Sequence, residues 1–174
     1  MLIESSDMKP LLLAMAVLAV ATPAWAQTPP TPAPAAAPAQ AYGAPIGLEA
    51  AQALVDRAVE AGRARGFRLA IAVVEPSGAL VAFGRMDDVP YGSIGVAQSK
   101  ARSAALFRTP TSALEERLAS GRTALLAIEG MIPVAGGVPI VVDGRMVGAI
   151  GVSGASSAQD DEVARAAIAA VLGG

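Results

Sequence analysis

The chain of 174 residues contains no cysteine and no histidine. These absences exclude a disulfide, a thiolate or imidazole metal ligand, a Cys-His pair and a Ser-His-Asp triad. Most hydrolase mechanisms fall with them. Aromatic residues are scarce, at one Trp, two Tyr and three Phe, and lysine occurs only at Lys9 and Lys100 against eleven arginines. Neither sign of charge dominates, with Lys+Arg 13 against Asp+Glu 15. Nothing in that balance draws the chain to nucleic acid or to an anionic lipid surface.

What is abundant at the N-terminus is apolar. Lys9, the run from Leu11 to Ala21 and Ala24-Trp25-Ala26 supply the basic, apolar and A-x-A parts of a secretory signal, so residues 1–26 are expected to be a signal peptide cleaved after Ala26. Glu4 and Asp7 make the stretch before Met8 acidic, which points to Met8 rather than Met1 as the initiator. The apolar run is about half of the roughly 20 residues a spanning helix needs, so no stable membrane insertion is expected after cleavage. The expected location is periplasmic or secreted. Residues 27–45 are dense in Pro and Ala, carry no charge and read as a disordered spacer. Residues 46–174 are enough for one domain.

Within that domain, Leu48, Ala51, Leu54, Val55, Ala58 and Val59 recur at helical spacing up to Gly66. Two β-rich runs, 67–74 and 79–86, flank a Pro/Gly turn and predict a hairpin. A helix is expected over 93–107, with Ile94, Ala97, Ala101, Ala104 and Ala105 as a narrow stripe suited to close approach by a sheet or a partner helix. A short helix follows, opened either by Pro110 or by a Ser112/Glu115 capping box. Residues 122–137 fit no single element. Runs 138–142 and 145–152 around Asp143-Gly144 predict a second hairpin with a type I′ turn, and a last helix is expected over 158–172. This order is α+β, with helices covering an antiparallel sheet.

Few residues carry chemistry. Gly151-Val152-Ser153-Gly154-Ala155 departs from a nucleophile elbow at its last position and has no imidazole to activate the serine. Gly148, Gly151 and Gly154 precede a helix, but Asp160-Asp161-Glu162 in its first turn repel a phosphate and suit the helix dipole instead. Lys100 shares a helical face with Val96, Ser103 and Phe107. That face is either one wall of a cavity for a flat ligand bearing carboxylates or a solvated lysine beside a core phenylalanine. Arg85, Met86 and Asp87 end the second strand, where sites often lie.

AIAVVEPSGALVAFGRMDD (70–88), SKARSAALFRTPTSAL (99–114) and GGVPIVVDGRMVGAIGVSGASSAQDDEVARAA (136–167) together resemble the haem-binding protein family of the GlcG and HbpS type, which also forms the C-terminal domain of PduO proteins. The resemblance implies a profilin-like sandwich, a homo-oligomer, haem or a similar ligand in some members, and haem or redox sensing in exported ones. The family landmarks fall on Arg85, Met86 and Asp87, on Lys100, Arg102, Phe107, Pro110 and Thr111, and on Gly148, Gly151, Ser153, Gly154, Asp160 and Asp161. Haem here would need an axial ligand from Met86, Met131, Met146, Tyr91 or Thr111. Three readings follow. One is a binding module using Arg85, Met86, Lys100, Ser103, Phe107 and Thr111. Another is an oligomeric partner without a ligand, joined through the Ala97–Ala105 stripe. The last is an enzyme of unknown reaction such as haem breakdown.

Overall fold

A computed structural model describes residues 41–173. The expected signal peptide and the spacer up to residue 40 lie outside the described residues. The elements run α1 (Leu48–Ala64), β1 (Ala70–Val74), β2 (Leu80–Arg85), α2 (Tyr91–Phe107), α3 (Thr111–Ala119), a 3₁₀ turn (Thr123–Ala127), β3 (Gly137–Val142), β4 (Arg145–Ser153) and α4 (Ser157–Leu172).

The strands pair antiparallel in the order β2-β1-β4-β3, so two hairpins lie side by side with β1 and β4 at the centre. Asp143 and Gly144 both have positive φ, 50° and 73°, as the expected type I′ turn requires. Every residue of β1 is buried. A strand apolar on both faces must be covered on both. Ile71 and Val73 join Leu54, Val55, Ile150, Val152 and Val163 under α1 and α4. Ala70, Ala72 and Val74 meet α2 on the other side.

The α2 side is built from small residues. Ala97, Ala101, Ala104 and Ala105 are fully buried against Ala70, Ala72 and Ala149. A Cβ placed on Gly151 of β4 would lie 2.1 Å from the Ala97 carbonyl oxygen and 2.5 Å from the Ala101 nitrogen. Helix backbone thus rests directly on strand backbone. The stripe is consumed inside one chain, which corrects its reading as a subunit interface.

Helix α2 opens at Tyr91 rather than Ser93, with Pro90 at the N-cap. The Ser112/Glu115 box does not form, because Pro110 holds the N-cap position of α3 and Glu115 is drawn elsewhere. The capping box is Ser156/Gln159 on α4. Residues 41–45, the end of the segment read as spacer, lie along β4: Met146 N donates to Ala41 O at 2.9 Å and Gly43 N donates to Met146 O at 2.8 Å.

Candidate functional site

Lys100 points from α2 into its junction with β4 and α4, where it is 2% exposed. Nζ donates to Asp160 Oδ2 at 2.9 Å and to the Val152 carbonyl at 3.1 Å. Asp160 is equally buried, and its Oδ1 accepts from Ala155 N at 3.0 Å. Burial pushes the Asp160 carboxyl above the ordinary carboxylate range, against the opposing pull of the Lys100 bond and the Ala155 amide. Gly136, at φ 118°, closes over the ammonium, since a Cβ there would stand 2.9 Å from Nζ. Lys100 is therefore neither a solvated lysine nor an open partner for a ligand's carboxylate. Its carboxylate is the chain's own Asp160.

Ser103 and Thr111 are spent on the same loop. Ser103 Oγ accepts from Ile132 N at 3.0 Å, and Thr111 Oγ1 accepts from Gly137 N at 2.8 Å. Glu115 accepts from Ala135 N and from Ser157 Oγ, both at 3.1 Å. These bonds lace residues 132–137 to α2, α3 and α4. Phe107 is half-buried at the end of α2, while Val96 faces outward. The four residues of the expected face do not line one cavity.

Arg85 and Met86 sit at the opposite edge of the sheet, since β2 and β3 are its outer strands. Arg85 pairs across from Ala70 and so lies on the α2 face of β2. Met86 is buried on the α1 side, and its Sδ accepts from Leu69 N at 3.4 Å. Beyond them the surface is concave. Arg85, Asp87, Asp88, Val89, Pro90 and Tyr91 line a depression of about 610 Å³. A second depression of about 390 Å³ shares Asp87 and Asp88 and adds Arg63, Arg68 and Met86. Both volumes fall within the span of roughly 300–1,000 Å³ usual for small-ligand sites. Tyr91 is 84% exposed, and its hydroxyl has no hydrogen-bond partner among the described residues. Arg85 likewise makes no ion pair among the described residues.

Composition pointed to Lys100 because it is the only lysine in residues 46–174. Tyr91 stood in the sequence only as one of several candidate iron ligands, and nothing in the local pattern shows its exposure. Asp160 was read as a dipole partner of α4, and its union with Lys100 spans 60 residues.

The four-stranded antiparallel sheet with helices on both faces defines a profilin-like α+β sandwich. A family model described as "Haem degrading protein HbpS-like" matches residues 46–169, and the chain belongs to that family. Protein GlcG of Escherichia coli strain K12 is 43% identical over 108 residues, 62% of this chain and 81% of that protein. The crystal structure of HbpS aligns with a TM-score of 0.70 at 39% identity, covering 76% of this chain and 93% of the other. The crystal structure of a PduOC:heme complex aligns with a TM-score of 0.69 at 26% identity, covering 74% and 96%.

Proposed function

We propose that this chain is an exported haem-binding module, working as a homo-oligomer in haem or redox sensing. The observation that carries the reading is the alignment, over 96% of its length, with a related domain whose structure is a haem complex. The N-terminal secretory pattern supports export. Leu126, Ile128 and Val134 on the connection before β3 are exposed and offer apolar surface to a second copy of the chain.

Haem would have to be held on the outside of the fold. Lys100, Ser103 and Thr111 are buried in bonds of their own, whereas Arg85 and Tyr91 open onto the depression at the end of β2. A bound haem would supply iron-centred ligand binding and electron transfer. Arg85 would pair a propionate there, while Asp87 and Asp88 in the same depression would oppose it.

Titration of the full chain with haemin, beside an unrelated protein with apolar surface, tests the reading. A saturable Soret shift at one haem per chain, with no such shift in the control, is expected. A response matching the control removes haem as the ligand. The family's description as haem degrading favours breakdown as a second reading. Loss of the Soret band with release of iron, on adding a reductant and oxygen, would mark it.

A further inference from the structure

We infer that the groove between the β1–β2 turn and α2 is a binding site for a short aliphatic carboxylate, with Arg102 as its anion partner. The site is independent of the haem reading and lies at the other end of β2 from Arg85: Leu80 opens that strand opposite Val74, whereas Arg85 closes it opposite Ala70.

The groove encloses about 420 Å³, within the span of roughly 300–1,000 Å³ usual for small-ligand sites. Helix α2 lines it with Gly95, Gln98, Ser99 and Arg102, which recur at intervals of three and four residues and so share one face. The turn and β2 close it from the other side with Gly78 and Leu80. Gly78, at φ 84°, does more than make the turn. A Cβ there would stand 2.9 Å from Arg102 Cγ and 3.7 Å from Cδ, so the bare glycine is what lets the arginine stem lie against the turn. Packing thus sets the place of the guanidinium, while the head makes no ion pair or hydrogen bond among the described residues. Ser99 Oγ is also without a partner among them. Gln98 donates one amide N–H to the Ile94 carbonyl at 3.3 Å and keeps the other.

Charge and shape then choose the ligand. No carboxylate lines this groove, in contrast to the depression beyond Arg85, where Asp87 and Asp88 oppose one guanidinium. Glu75, the acid of the turn, accepts from Ser77 Oγ. One guanidinium beside neutral donors suits a single negative charge, and its fork matches the two oxygens of a carboxylate. The rest of the groove is apolar, with Leu80 51% exposed. A short aliphatic tail would take that surface out of water, whereas an inorganic anion would leave it bare. Gly95 has nothing within 4 Å of where a Cβ would stand, which leaves room for the tail beside α2.

Saturation-transfer NMR on the full chain tests the site, with butanoate, formate, butylamine and inorganic phosphate as probes. Wild type is expected to give saturable transfer to butanoate and none to butylamine. Arg102→Gln should weaken butanoate about tenfold, whereas Arg117→Gln, which removes the same charge from an exposed place on α3, should stay within about twofold of wild type. Leu80→Ser should weaken butanoate and leave formate as in wild type. Arg102 is exposed, so its variant should keep the wild-type circular dichroism. The assignment is overturned by an absence of saturable transfer from butanoate in wild type or by equal losses in both arginine variants. Phosphate competing as well as butanoate would overturn the carboxylate class.

Discussion

Lys100 Nζ meets Asp160 Oδ2 at 2.9 Å with both side chains 2% exposed, so α2 and the first turn of α4 are joined by an ion pair sealed from water. Such a pair is a costly thing to break from one side, because the remaining charge stays buried without its partner. Lys100→Met should therefore lose about 3–5 kcal/mol of stability in urea unfolding, whereas Lys100→Met combined with Asp160→Leu should recover most of it. A single variant as stable as wild type would show that the pair is not closed in solution.

The same pair gives acid an unusual sign. The pKa of the folded Asp160 carboxyl is raised, chiefly by burial, so the native state binds a proton more readily than the unfolded chain, whose carboxyl keeps the ordinary aspartate value of 3.8. The contribution of this group is therefore fully present below that unfolded value and is lost as pH rises through the folded one. The stability of wild type relative to the Lys100→Met/Asp160→Leu double variant should grow on acidification. Unfolding curves for both proteins between neutral pH and pH 4 check this, and a difference that shrinks toward acid contradicts it.

Thr111→Val keeps shape but removes the oxygen that the Gly137 amide donates to at 2.8 Å. A buried N–H left without an acceptor costs about 1–3 kcal/mol. Stability should fall by that amount while the haemin spectrum stays as in wild type. A changed spectrum at unchanged stability would instead return Thr111 to the iron.

Gly151→Ala asks for a methyl group where the α2 backbone already stands, 2.1 Å from the Ala97 carbonyl oxygen. Forcing α2 off the sheet should cost about 1–3 kcal/mol or more, read as a lowered melting temperature. For the same reason Ala101→Glu should abolish folding, because it buries an unpaired charge in that contact. The proposed homo-oligomer is better probed at Leu126 and Ile128, where a Glu substitution is expected to lower the sedimenting mass while the circular dichroism is kept; an unchanged mass would take these residues out of the proposed interface.

The helices and both hairpins were legible because periodicity and turn chemistry are local. Asp143-Gly144 announces its own turn, and Leu54, Val55 and Ala58 announce a buried face. The Ala97–Ala105 stripe was legible as a close contact, but its partner was not, since a sheet and a second subunit ask the same small side chains of a helix. Lys100 and Asp160 each look like surface residues when read along the chain. Only the crossing of α2 over β4 brings them together. Residues 122–137 resisted reading because Leu126, Ile128 and Val134 are apolar yet exposed, so their pattern follows no buried face. Arg85 was placed at a strand end correctly, while the openness of Tyr91 depends on where α2 starts.

The entry of the chain into the domain has a mechanical consequence. Three backbone hydrogen bonds tie the segment from Ala41 to Ile46 to Met146 and Val147, and Tyr42 runs parallel to β4 there. A tether pulled from the N-terminal side loads these bonds together, in shear, rather than peeling them one by one. The central strand of the sheet takes the strain before α1 feels it, and the depression at the far edge is left undisturbed.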